Sequence, residues 1–192
     1  WVWFDALSSY LNALGYAAES KKFKKYWPAD LHLIGKGILR FHAVYWPAIL
    51  LSANLPLPKK IFIHGYITSN GQKMSKSLGN VIDPFELVKK YGADPVRYFL
   101  LREVPAAEDG DFTYGKFESR YNADLASGLG NLVSRVIKLA PGVLTKLSLT
   151  ETKLSLVIKK AEKQYRDALD DFKFNEALIA VWELIGWCDK YI

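Results

Sequence analysis

The sequence predicts an α/β portion followed by an all-α portion, and two observations carry that division. Up to about residue 112, short β-branched and aromatic runs alternate with apolar stretches of helical length, punctuated by glycine and proline. From about residue 113 the strand-like runs disappear and apolar positions recur at helical spacing. The boundary is expected within 105–118, which gives domains of 1–117 and 118–192.

The elements follow in order. WVWF (1–4) has the composition of a buried strand, and Asp5 or Ser8 would then cap a helix through LNAL. FKKYWPAD (23–30) reads as a loop, and LHLIG (31–35) as a short strand ended by Gly35 and Gly37. ILRFHAVYWPAILLSA (38–53) predicts an apolar helix kinked at Pro47. KKIFIHGYIT (59–68) predicts a further strand. Asp83-Pro84 and Asp94-Pro95 each open a helix, because proline is tolerated in the first turn. Beyond these, FESRYNADLASGLGNLVSRVIKLA, LSLVIKKAEKQYRDALDDF and NEALIAVWELIGWCDKYI are helical, with breaks at PGV (141–143) and at Phe172–Asn175.

Half of the 192 residues are hydrophobic and 24% are charged, which excludes a disordered chain. The net charge of +6 suits a polyanionic partner. A single cysteine, Cys188, excludes an internal disulfide and a multi-cysteine zinc site, and its apolar setting ELIGWC predicts a buried thiol. The apolar run 43–53 is too short to span a bilayer and no stretch reads as a signal peptide, so no membrane partner and a cytoplasmic location are expected. A start at Trp-Val-Trp and an end inside a helical pattern read as a piece of a longer protein.

The loop TSNGQKMSKSLGN (68–80) carries the chemistry. Its glycines let the backbone approach a ligand closely, and its lysines supply point charges for phosphate. The spacing of a Walker loop is absent, as is a GxGxxG after a strand. What stands at 73–77 is Lys-Met-Ser-Lys-Ser, and it resembles the signature loop of class I aminoacyl-tRNA synthetases. Its flanks are more specific. VWFDALSSY (2–10), the stretch 28–58 containing GKGILRFH, FIHGYITSNGQKMSKSLGNVIDP (62–84) and 92–112 resemble the methionyl-tRNA synthetases, in order and at family spacing.

That resemblance implies the second half of a Rossmann-like nucleotide-binding fold with the KMSKS loop and stem-contact region, then a partial anticodon-binding helix bundle. The implied activity is methionine–tRNA ligation: methionine and ATP form methionyl-adenylate, whose methionyl group is transferred to tRNA(Met) with release of AMP, and Mg²⁺ accompanies ATP. Lys76 is the implied principal cation on the leaving pyrophosphate, and Lys73 assists. Met74, Ser75 and Ser77 complete the ATP-binding loop, while His64 and Gly65 hold adenine and ribose. Trp3, Ala6, Leu7, Tyr10, Ile38 and His42 match the methionine pocket. An aromatic pocket suits a long apolar side chain with a polarizable sulfur. Asn131 and Arg135, four apart on one helix face, match the family's anticodon-reading pair. Trp182 and Trp187 are expected in the core.

Two departures accompany the match. The family usually has an acidic residue where Gly37 stands, and proline where Leu7 stands. The HIGH-type signature, the first half of the nucleotide fold and any zinc-bearing insertion would precede Trp1, so the chain alone is expected to be inactive. The rival expectation is a non-catalytic RNA-binding protein derived from a synthetase fragment.

Overall fold

The structure is a computed structural model, and it describes residues 2–18, 20–139 and 153–192. It divides into two compact units, Trp1–Tyr66 and Ile67–Ile192. The division falls inside the α/β portion rather than at the change of composition near residue 112.

In the first unit, helix α1 (Val2–Asn12) occupies the place where WVWF predicted a strand. Burial of one helical face overrides β propensity here: Leu7 and Leu11 are four apart and both buried, and Trp3 packs against the same cluster. Ser8 is not a cap; its hydroxyl donates to the Asp5 carbonyl within the helix. Helix α2 (Lys21–Tyr26) lies where a loop was expected, capped by Ser20, whose hydroxyl accepts from the Phe23 N–H.

Strand β1 (His32–Gly35) pairs in parallel with β2 (Ile61–His64), from His32 opposite Ile61 to Gly35 opposite His64. The expected helix over 38–53 is present: after a 3-10 turn Lys36–Ile38 the chain is helical without a break over 39–52, through a π turn Phe41–Tyr45 into helix α3 (Trp46–Ser52). Pro47 lacks an N–H and crowds the carbonyl one turn back, so the wide π turn stands just before it. Leu7, Leu11, Trp27, Trp46 and Leu50 form the core of this unit. Leu50 has 0% exposure, so truncation to alanine there costs about 2–5 kcal/mol.

The predicted strand 59–68 is interrupted at Gly65-Tyr66, and its second part belongs to the other unit. There β3 (Ile67–Ser69) lies between β4 (Gln72–Lys73), antiparallel, and β5 (Gly110–Phe112), parallel. Helix α4 (Pro84–Tyr91) opens as expected, with the Asp83 carboxylate accepting from the Phe85 N–H at 2.8 Å. Helix α5 (Ala93–Glu103) begins one residue before Asp94-Pro95. Leu87, Val96, Phe99, Phe112 and Phe117 make the second core, joining α4, α5, β5 and helix α6 (Tyr114–Arg120).

The rest is helical: a π segment Tyr121–Gly130, then α7 (Asn131–Leu139), α8 (Lys153–Asp170) and α9 (Phe174–Tyr191). The expected break at PGV (141–143) lies outside the described residues. The break near Phe172 is present, with Phe172 at φ +60° and the Lys173 N–H on the Ala168 carbonyl at 2.8 Å. Ala161 and Ala168 on α8 and Ala177 and Ala180 on α9 are buried, and side chains this small let two helices approach closely.

Candidate functional site

Unit one gathers much of the expected methionine pocket. Trp3, Leu7 and Tyr10 recur on one face of α1 at helical spacing. Trp3 stacks on Phe41 with ring centroids 4.1 Å apart, and Leu7 is buried behind them. These residues line an apolar groove of about 500 Å³ with Val2, Phe4, Tyr45 and Ile49. Tyr10 and His42 are not in that groove. They form a polar pair instead, with Tyr10 Oη 3.0 Å from His42 Nε2.

The His42 tautomer follows from its other nitrogen. Nδ1 faces the Ile38 carbonyl at 3.1 Å, and a carbonyl can only accept, so Nδ1 carries the proton. Nε2 must then accept from the Tyr10 hydroxyl. Ile38 thus contributes its backbone oxygen as well as a half-buried side chain. Ala6 is exposed, and its carbonyl accepts from the Ser9 hydroxyl at 2.6 Å within the helix. A further residue, His32, stands in the same group: it is buried, and the Tyr10 ring meets it edge-on at 4.6 Å. Burial, and secondarily the neighbouring His42, push the His32 imidazole below its ordinary pKa. Its Nε2 has no hydrogen-bond partner among the described residues. Nothing in its strand pattern distinguished His32 from a plain core residue.

At the carboxyl ends of β1 and β2, His64 and Gly65 stand where strand-end ligand sites occur in parallel sheets. The His64 Nδ1–H donates to the Gly65 carbonyl at 2.9 Å. A Cβ on Gly37 would come within 2.8 Å of the Tyr66 hydroxyl, the tip of a side chain, so a larger residue there requires Tyr66 to shift.

Unit two carries the lysine loop on the β3–β4 hairpin. Asn70 (φ +52°) and Gly71 (φ +72°) make the turn, and both lysines, Lys73 and Lys76, are exposed. Ser75 caps the 3-10 turn Lys76–Leu78, its Oγ accepting from the Ser77 N–H and lying 2.6 Å from Ser77 Oγ. Met74, expected among ATP contacts, is half-buried and lines an apolar cavity of about 210 Å³ with Ile67, Ile82, Leu87 and Phe112.

Two further residues hold this loop. The Asp111 carboxylate accepts from the Gly71 N–H at 2.6 Å, the Thr68 hydroxyl at 2.8 Å and Lys116 Nζ at 3.3 Å. The Gly71 bond and then the Thr68 bond hold its pKa below the ordinary carboxylate value. Asn80 accepts from the Ser75 N–H at 2.8 Å and donates to the Lys73 carbonyl at 3.2 Å. The Asn after Leu-Gly at the end of the loop was the available signal for the second; Asp111 gave none, being forty residues from its partner.

In the helical part, Asn131 is exposed at the start of α7. Arg135 is drawn toward α9, where its Nη1 reaches Asp189 Oδ1 at 2.6 Å. Trp182 packs on Tyr98 with centroids 4.5 Å apart, and Trp187 stacks on Tyr191 at 5.2 Å. Cys188, expected buried, is half-buried. Among the described residues no helix is long and apolar enough to cross a membrane.

The chain is similar to known proteins along its length. A family model described as tRNA synthetases class I (M) matches residues 1–137. The methionine–tRNA ligase of Caldanaerobacter subterraneus subsp. tengcongensis is 50% identical over 200 residues, covering 100% of this chain and 31% of the relative. That of Bacillus subtilis strain 168 is 45% identical, covering 100% of this chain and 30% of the relative. The chain thus spans about a third of the length of its curated relatives. Among solved structures, Mycobacterium tuberculosis methionyl-tRNA synthetase in complex with methionyl-adenylate is similar with a TM-score of 0.88 at 44% identity, covering 99% of this chain and 39% of that one. By the family match over most of its length, the chain belongs to the class I (M) tRNA synthetases.

Proposed function

We propose that the protein carrying this chain is a methionine–tRNA ligase, to which the chain contributes the methionine side-chain pocket, the KMSKS loop and the start of the anticodon-binding helices. The observation that carries this reading is the Tyr10–His42 pair beside the Trp3–Phe41 stack, with Trp3 meeting the His42 ring edge-on at 6.2 Å. It suits an unbranched thioether, whose sulfur gains from aromatic contact.

In the first reaction a methionine carboxylate oxygen bonds to the α-phosphorus of ATP, and the bond to pyrophosphate breaks. Negative charge grows on the leaving group, so Lys76, assisted by Lys73, accelerates the step by interacting most strongly in the transition state. His64 and Gly65 are assigned to adenine and ribose in the second half of a Rossmann-like fold. In the second reaction a terminal ribose hydroxyl of tRNA(Met) bonds to the methionyl carbonyl of the adenylate, the bond to AMP breaks and AMP leaves, and Asn131 and Arg135 are assigned to the anticodon. Domains of 1–117, catalytic with stem contact, and 118–192, anticodon-binding, follow from that assignment, as does a cytoplasmic location.

Mg²⁺ supplies charge neutralisation on the ATP phosphates when bound. Among the described residues no group of three His, Cys, Asp or Glu could hold a metal, so no residue here is assigned to it. The test is methionine-dependent ATP–pyrophosphate exchange by a protein of the relatives' full length that contains this chain. Exchange supports the ligase. Binding of tRNA without exchange would establish the alternative, an RNA-binding protein derived from a synthetase.

A further inference from the structure

We infer that Asn80 is a positioning residue for the two lysines of the KMSKS loop; the inference rests on the ligase reading above. One side-chain amide reaches back across the loop and contacts the backbone on both sides of Met74. Its Oδ1 accepts from the Ser75 N–H at 2.8 Å, and its Nδ2 donates to the Lys73 carbonyl at 3.2 Å. A flipped amide would set donor against donor at Ser75 and acceptor against acceptor at Lys73, so the orientation is forced.

The two backbone groups belong to Lys73 itself and to the residue before Lys76. In a strand they would be satisfied by a neighbouring chain; here a single side chain takes that place. Among side chains of this length only asparagine offers an acceptor and a donor from one planar group. Aspartate keeps the acceptor alone, and alanine keeps neither. The backbone delivers Asn80 through Gly79, which adopts φ +63°, a region that favours glycine. A Cβ at Gly79 would meet nothing within 4 Å, so conformation and not space requires the glycine.

The ammonium groups sit at the ends of long, exposed side chains, so their placement is only as good as that of the backbone beneath them. Donors that stabilise developing charge act through preorganisation, and loss of alignment lowers rate more than ground-state binding. Asn80 is therefore expected to act on the rate of adenylate formation without touching methionine or ATP.

The test uses a protein of the relatives' full length containing this chain, with single-turnover formation of methionyl-adenylate as the readout. Asn80→Ala should slow that step by about 10- to 100-fold, with the methionine and ATP binding constants and the melting temperature unchanged. Asn80→Asp should fall between Asn80→Ala and the unsubstituted protein. Lys76→Ala serves as the control for the loop reading. If Lys76→Ala slows the step and Asn80→Ala does not, the inference is overturned while the loop reading stands. If Lys76→Ala is silent, the loop reading itself falls. Parallel weakening of both substrates in Asn80→Ala, with a lowered melting temperature, would mark a general structural defect and also overturn the inference.

Discussion

The Tyr10 hydroxyl donates to Nε2 of His42, which is held in the Nδ1-protonated form by the Ile38 carbonyl. Three residues, from α1, the 3-10 turn after β1 and the π turn beyond it, thereby fix one buried polar point among aromatic rings. Tyr10→Phe keeps the ring and deletes the donor, leaving a nitrogen of a buried imidazole unpaired. In a full-length protein the KM for methionine should rise about tenfold, equivalent to about 1.4 kcal/mol. The KM for ATP should not move. Separate titration of the two substrates decides, and equal damage to both would remove the pocket assignment.

Lys76→Ala in the same protein should lower ATP–pyrophosphate exchange by about 10²-fold or more, the usual effect of losing one transition-state donor. Equilibrium binding of methionine, measured without ATP, should be unchanged. Exchange at the ordinary rate would show that the exposed lysine does not reach the phosphates.

Acid should destabilise this chain through His32. Its pKa is depressed in the fold by burial and by the adjacent His42, so the unfolded chain binds the proton more readily. Stability is then fully present above the unfolded pKa of about 6.5 and declines as pH falls below it. Denaturant midpoints of residues 1–192 between pH 7 and pH 5 should show the decline. His32→Phe should flatten it, and an equal slope in both proteins would exclude His32 as the cause.

The sequence disclosed the lysine loop, β1, the helix opened at Asp83-Pro84 and the helical half because each rests on local chemistry. A proline after aspartate, a glycine at a turn or a helical period needs no distant partner. The start of α1 was misread for the opposite reason. WVWF has strand composition, and only packing of Trp3, Leu7 and Leu11 against Trp27, Trp46 and Leu50 makes it helical. The family pattern singled out Tyr10, Ile38 and His42, which the structure brings together, yet not the role of the Ile38 carbonyl, since backbone atoms leave no trace in residue type. Asp111 escaped notice because its partners Gly71 and Thr68 are remote in sequence.

A cluster that received no role in the reaction should govern the stability of unit two. Arg120 donates through Nε and Nη2 to Glu103 Oε2, at 3.1 and 2.6 Å, and through Nη1 to Asp124 Oδ2 at 3.3 Å, where the Tyr98 hydroxyl also donates. Burial, followed by the Asp124 hydrogen bond, pushes the Tyr98 phenol well above its ordinary pKa. Arg120→Ala removes the cation that the partly buried Glu103 and Asp124 carboxylates share. Because all three groups retain some solvent contact, the expected loss is about 1–2 kcal/mol, less than for a fully buried pair. Urea denaturation measures it, and an unchanged midpoint would mean that solvent already screens the cluster.

The contact between Arg135 and Asp189 has a consequence for selectivity. An arginine resting against a carboxylate at 2.6 Å meets any ligand with that contact already made. On the anticodon assignment proposed above, an RNA that takes Arg135 gains only the difference between its own contact and the one it displaces. A base edge whose planar geometry matches the guanidinium then gains more than a bare phosphate does, with Asp189 as internal competitor, so discrimination there would rest on shape in preference to charge.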